Sequence, residues 1–402
     1  MEDKSKSYLN SLCLDIPQRP VGSEGNRQAT RYFEEVVASF GWDLESTPFQ
    51  ALDWESEGAE LIFNGTSYQI FPSPYSKGCS IDAELVSVRT LQELKLAVVE
   101  GKLLLVHGDL AKEQLMPKNF VFYNPDEHKE IIALLENKKP AAILTATGRN
   151  ASLAGGVYPF PLIEDGDFYI PSVYMTEEEG RKILSEVSKK GSLVSSVKRN
   201  QTESVNLVAK KGTDDRRKIA ISAHIDAKLD TPGAIDNGTG VVVLMLLAEL
   251  FKDYQDGPVL ELLPFNGEDY YAAPGQMVYL NQNLGRFDEI MININIDGAG
   301  YHIGPSAFSP FNLPEPAKTN LDQVLGSSEN LIEGTPWYQG DHSIFLQQGV
   351  PAIAVSSAWF VENVDSQEIT HTPADHPDIV DHKRVVEIAS AIHQFILAAY
   401  PV

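Results

Sequence analysis

"SAHIDAKLDTPGAIDNGTG", Ser222–Gly240, runs directly into "VVVLMLLAEL", Val241–Leu250. The first stretch holds His224, Asp226, Asp230 and Asp236 around two turn signals, Pro232-Gly233 and Asn237-Gly238. The residues before it, "RKIAISAHID" (217–226), read as a strand. Those after it read as a helix apolar on every side, and so as a core helix. A strand, a charged turn and a buried helix make one unit of an α/β sheet. In such sheets ligands bind outside the carboxyl ends of the strands, where neighbouring loops diverge.

Working outward, the alternation continues. "GPVLELLPFNGED" (257–269) and "EIMININIDGAG" (289–300) read as strands that end in charge, with a helix, "PGQMVYLNQN" (274–283), between them. "SIFLQQGVPAIAVSSA" (343–358) reads as a helix end and a strand, and 376–400 as a long amphipathic terminal helix. Near the start, "NRQATRYFEEVVASFG" (26–41) puts Ala29, Tyr32, Phe33, Val36, Val37 and Phe40 on one helical face, with Gly41 as a stop. Between about 56 and 198 the texture changes to short β-like runs, such as "GKLLLVHG" (101–108) and "AAILTAT" (141–147). Helical pieces lie between them at 128–140 and 176–191. The expectation is an α/β chain with a catalytic domain formed by 1–55 and 199–402 and a smaller β-rich α/β module, 56–198, inserted in it.

The chain has 402 residues, 43% hydrophobic and 22% charged, with a formal net charge of −24. That field repels nucleic acid and anionic membrane surfaces, so neither is an expected partner. No apolar run reaches the roughly 20 residues of a membrane-spanning helix. "MEDKSKSYLNSLCLDIPQRP" lacks a signal-peptide core, so the reading is cytoplasmic, or secreted if a leader has been removed. Cys13 and Cys79 fit no metal spacing and read as free thiols. Oligomeric state is left open.

The strand-end residues form a set: His224, Asp226, Asp236, Glu268, Asp269 and Asp297, joined by His371 from "EITHTPADHPDIVD" (368–381). Each has an ordinary reading alone, as a capped turn or a solvated loop pair. Together, at successive strand-to-loop transitions, they suit zinc or another divalent ion. Packed carboxylates without cations repel, and some must protonate. Five ligands are too many for one tetrahedral ion that keeps a water, and they suffice for two ions that share one carboxylate.

These residues resemble a family. "HIDAKLDTPGAIDNGTGV" is similar to the "H-x-D…P-G-A-x-D-N-x-S-G" signature of the co-catalytic zinc exopeptidases, metallopeptidase family 28. "FNGED" resembles its "N-G-E-E", "NIDGAG" its "N-x-D-x-x-G" and "THTPADHPDIVD" its "H-T-x-x-D". "GDHSIFLQQGVPAI" is similar to its "S-D-H-x-P-F-x-x-x-G-I-P", and "PQRPVGSEGNRQATRYFEE" to its entry motif. The inserted block resembles a protease-associated domain.

The resemblance implies a zinc-exopeptidase (phosphorylase/hydrolase-like) three-layer α/β/α sandwich with a mixed sheet. It implies two zinc ions, with other divalent metals possible. His224 and Asp297 would hold one ion, Asp269 and His371 the other, and Asp236 would bridge them. Asp226 would fix the His224 ring and Glu268 would be the general base. The implied activity is that of an aminopeptidase, hydrolysing the N-terminal bond of peptide substrates with a hydroxide shared by the two ions. Carboxypeptidase-type cleavage, glutaminyl cyclisation and a non-catalytic transferrin-receptor-like binding role are the alternatives. A carboxypeptidase needs a cationic pocket, and Arg286 and Arg384 are the candidates for one.

The sequence departs from the pattern in three places. Asp269 is one methylene shorter than the usual glutamate. "YYAAPGQ" (270–276) replaces a glycine-rich run. Thr370 stands where some relatives carry a tyrosine. Tyr270, Tyr271, Tyr301 and His342 are candidate substrate-binding residues. "YHIGPSAFSPFNLPEPAK" (301–318) reads as a loop, either plain surface or a wall of the substrate pocket.

Overall fold

The computed structural model describes residues 1–16, 18–149, 157–364 and 366–401. The chain divides into two compact units, Met1–Ala51 with Glu203–Val402, and Leu52–Thr202.

In the first unit a sheet runs in the order Leu331–Glu333, Ser306–Phe311, Ala352–Ser357, Ile290–Ile296, Asp214–His224 and Pro258–Phe265. Residues 209–211 of the strand Lys190–Lys211 pair with 260–262 on the far side of Pro258–Phe265. The four strands Ala352–Ser357, Ile290–Ile296, Asp214–His224 and Pro258–Phe265 are mutually parallel, so they end at one edge. Their register puts His224 opposite Phe265 and Ser222 opposite Asn295. Ser306–Phe311 and 209–211 pair antiparallel, which makes the sheet mixed.

Period-two alternation sorts the side chains between two faces. Ile292, Ile294, Ile296, Leu260 and Leu262 enter one core, with Val242, Leu246, Phe33, Val37, Ile388 and Phe395 from helices Thr239–Leu250, Glu24–Ala38 and His382–Ala399. On the opposite face Phe265 meets Tyr279 and Phe345, from helices Pro274–Gln282 and His342–Gln347. The same alternation sends Asn293 and Asn295 to that face, where both hydrogen-bond to Ser222 Oγ. Each fully buried Leu, Ile or Phe contributes roughly 1.5–3 kcal/mol.

The helix expected at 26–41 is Glu24–Ala38, capped by Ser23 Oγ on the Asn26 N–H, with Ala29, Phe33 and Val37 buried. The all-apolar helix is Thr239–Leu250, and its first ten residues are buried. Two expectations fail. Part of the stretch 301–318, read as a loop, is the buried strand Ser306–Phe311, paired along its length with Ala352–Ser357. Its other neighbour, Leu331–Glu333, pairs only with 306–308, so Pro310 falls where that side of the strand is no longer in a ladder. The helix expected over 176–191 ends at Ile183, and the chain is a strand again from Lys190.

In the second unit Cys79–Val88, Leu103–Val106, Ala142–Thr147 and Ser172–Thr176 form a parallel sheet. Leu103 and Leu105 face one core, and Leu104 and Val106 face another, with Ile131 and Leu135 of helix Asp126–Lys138. Cys13 and Cys79 are free thiols. Among the described residues no helix is long and apolar enough to cross a membrane.

Candidate metal centre

The four mutually parallel strands Ala352–Ser357, Ile290–Ile296, Asp214–His224 and Pro258–Phe265 deliver their carboxyl ends to one edge, and charged residues follow three of them within a few positions. His224 is the last residue of its strand, Glu268 and Asp269 lie just past Phe265, and Asp297 directly follows Ile296. Asp236 sits before helix Thr239–Leu250. His371 comes from a loop, with a left-handed backbone (φ 61°).

Three groups of side chains could each hold an ion: His224, Asp236 and Asp297; Asp236, Asp269 and His371; and His224, Glu268 and Asp269. Within each group the donor atoms lie within 4.8 Å of one another. The first two share Asp236, and its two oxygens face opposite ways. Oδ1 is 2.9 Å from His224 Nε2, and Oδ2 is 3.0 Å from His371 Nε2. His224 Nε2 is also 3.7 Å from Asp297 Oδ1, and His371 Nε2 is 3.1 Å from Asp269 Oδ1. Glu268 Oε2 is 3.9 Å from His224 Nε2, and its side chain is 28% exposed, so it stands at the open side of the cluster.

The donor set fits divalent cations. His224 Nε2 and Asp269 Oδ2 are buried with no hydrogen-bond partner. Burial alone would discharge His224 and His371. Their carboxylate neighbours outweigh it and hold both well above the ordinary imidazole range. Burial also pushes Glu268 well up, with repulsion from Asp269, Asp297 and Asp341 acting against the pull of His224. Asp297 is raised, first by burial. Asp236 is held low because His224 and His371 together overcome its burial. Carboxylates packed this closely call for a compensating positive charge, which is why the donor set fits divalent cations.

Asp226 lies against the buried His224 ring and has a second engagement as well. Its backbone oxygen, not its carboxylate, lies at hydrogen-bond distance from His224 Nδ1 (3.1 Å); Oδ1 is at 3.7 Å. The carboxylate also accepts the N–H groups of Gly267 and Asp269, each at 3.0 Å, on either side of Glu268. Asn266 extends this support, bonded to Asn26, Thr30 and the Val205 carbonyl.

The four expected substrate contacts are placed as follows. Tyr270 is buried and stacks on half-buried Tyr271, ring centroids 4.5 Å apart. Tyr301 is buried in an apolar cluster with Ile235 and Phe360, so it backs the Asp236 loop. His342 is 0% exposed, wedged between Phe311 and Trp337, with Nε2 on the Trp337 carbonyl at 2.8 Å. A ring with no exposed surface is a core residue, and desolvation lowers its pKa to about 4. The expected contact role of His342 is corrected on that ground.

Its neighbour Asp341, not singled out in the sequence, is the residue that joins the centre electrostatically. It interacts with Glu268, His224 and Asp297, its Oδ1 accepts from Gln276 Nε2 at 2.7 Å, and burial pushes it up to about 7. Arg286 and Arg384 are engaged elsewhere, by Glu289 and by Asp381 with the Gly304 carbonyl.

Residues 206–396 match the model of peptidase family M28. The chain is 21% identical over 396 residues to a protein of Aspergillus oryzae described as "probable leucine aminopeptidase 2", an alignment covering 95% of this chain and 70% of that one. Among solved structures it resembles an aminopeptidase from Aneurinibacillus sp. strain AM-1 (TM-score 0.77, 20% identity, 100% of this chain and 95% of that chain). It also resembles a zinc aminopeptidase from Bacillus subtilis (TM-score 0.75, 16% identity, the same coverages).

Proposed function

The chain belongs to peptidase family M28, and from that premise we propose that it is an aminopeptidase whose centre takes two zinc ions. One observation carries the reading: two ligand groups, His224–Asp236–Asp297 and Asp236–Asp269–His371, share a single carboxylate whose oxygens face opposite histidines. The names of the A. oryzae, Aneurinibacillus and B. subtilis proteins support the activity and the metal.

In this reading His224 and Asp297 would hold one ion and Asp269 and His371 the other, with Asp236 shared between them. Bound there, such ions would supply a lowered pKa for the attacking water and a Lewis acid for the scissile carbonyl. Glu268 takes a proton from the attacking water and delivers it to the departing amine, so the C–N bond breaks without expelling an amide anion. Asp226 fixes Glu268 through the two amides that flank it. Arg286 and Arg384 already hold partners of their own, so neither is free to receive a substrate's terminal carboxylate. That is the feature that sets an aminopeptidase above a carboxypeptidase. The unit Leu52–Thr202 is read as a protease-associated-like insertion; all three candidate ligand groups lie outside it.

The test is hydrolysis of aminoacyl chromogenic amides beside N-blocked peptides. Chelation is expected to abolish cleavage of the former and zinc to restore it. Cleavage of blocked peptides alone would contradict the reading.

A further inference from the structure

Asp375 lies four residues after His371 and is fully buried. Its carboxylate reaches across to a different loop. Oδ1 accepts the Ile235 N–H at 2.7 Å and Oδ2 the Asp236 N–H at 3.0 Å. Its backbone oxygen accepts the Ala234 N–H at 3.2 Å. Three consecutive amides leading into Asp236 are thus held by one residue.

The carbonyls of the same loop are held from the other side by a cation. Arg19, 2% exposed, donates to the Pro232 carbonyl at 2.8 Å and the Gly233 carbonyl at 2.8 Å. It also donates to the Ile225 carbonyl at 3.1 Å, at the end of the His224 strand. Gly233 has φ +59°, and a Cβ there would stand 2.7 Å from Arg19 Nη2, so the close approach is built into the sequence.

We propose that Asp375 is a positioning residue for the metal centre, locking the Asp236 loop to the His371 loop so that both side chains face one ion. The inference rests on the reading of Asp236 and His371 as ligands of a common cation. The choice of residue type supports it. A neutral Asn or Ser caps a turn without placing another buried charge beside Asp236. A carboxylate there adds repulsion in the metal-free chain and attraction once cations are present. The loop bearing Asp375 is itself shaped for the task. Its N–H bonds to the Thr372 carbonyl at 3.1 Å, and Thr372 Oγ1 donates to the Ile369 carbonyl at 2.7 Å.

Asp375→Asn is close to isosteric, keeps one acceptor and turns an NH2 group toward the second amide. The experiment measures Zn2+ affinity of wild type and variant by competition with a chromophoric chelator, with melting temperature in excess chelator alongside. The variant is expected to lose zinc affinity by about 10–100-fold, the range for outer partners of metal ligands. Its metal-free melting temperature should stay near that of wild type, because the lost hydrogen bond is offset by relieved repulsion. Unchanged zinc affinity in a folded variant would overturn the positioning role while leaving the metal centre in place. A variant that does not fold without metal would overturn it too, because Asp375 would then be a scaffold residue. Wild type that binds no zinc would remove the centre and the inference together.

Discussion

Glu268 is the proposed base, although it also belongs to one of the three groups that could hold an ion. It is more exposed than Asp236, Asp269 or Asp297, and its loop is held by backbone bonds rather than by its own side chain. Glu268→Gln is therefore expected to retain zinc, measured by metal analysis, while kcat falls by about 10²–10⁴-fold, the usual worth of general-base assistance. Retained turnover would remove Glu268 as the base. His342 gives a pH prediction. Its folded pKa of about 4 lies below the ordinary 6.5, so below pH 6.5 the unfolded chain takes up a proton that the folded chain refuses. Stability from this group is complete above pH 6.5 and is lost as pH falls toward 4, by up to about 3 kcal/mol. His342→Gln keeps a donor for Trp337 and does not titrate. Its melting temperature is expected to fall less steeply than wild type between pH 7 and 4.5, and parallel curves would contradict the assignment. The candidate ligands were legible for different reasons: His224, Asp269 and Asp297 sit where a strand's apolar alternation stops, whereas Asp236 and His371 lie in loops and were read from motif spacing. Asp226 and Asp375 both fall in the motifs that carry the resemblance, but the amides they clamp were not legible, because a side chain that bonds distant amides leaves no periodicity. Nor did the sequence separate Asp341 from His342, since only the fold shows which neighbour faces the centre.

At the scale of elements, the helix Thr239–Leu250 packs tightly where it leaves the centre. A Cβ on Gly240 would lie 2.4 Å from Asn237 Oδ1 and 2.7 Å from the Ile296 carbonyl, just before Asp297. Alanine gains about 1 kcal/mol in helix propensity over glycine, yet Gly240→Ala meets backbone that has no room to give. The expected result is a lower melting temperature together with weakened zinc binding, read by thermal melting with and without chelator. A stabilised variant with intact zinc binding would show that the helix start tolerates displacement. The long periodic elements were legible: Glu24–Ala38, Thr239–Leu250, the parallel strands and the terminal helix. Ser306–Phe311 was hidden because Pro310 and neighbouring turn residues resemble a loop. Its strand character comes from Ala352–Ser357 alongside it, which is tertiary context. The strand Lys190–Lys211 was hidden for a similar reason, since its charged and polar run lacks apolar alternation through the middle.

For the whole molecule, the candidate centre gathers residues far apart in the first unit, from His224 to His371, with Arg19 and Asp375 in support. Occupancy is then a property of the folded unit, and metal that binds only the folded state stabilises it by mass action. The net charge of −24 points the same way, because cations at a carboxylate-rich edge remove repulsion that the metal-free chain carries. The decisive measurement is zinc stoichiometry by calorimetric titration of chelator-stripped wild type and Asp236→Ala. The bridged arrangement predicts two zinc ions per chain in wild type and weakened binding of both in Asp236→Ala. One ion per chain in wild type, or two undiminished ions in Asp236→Ala, would contradict it.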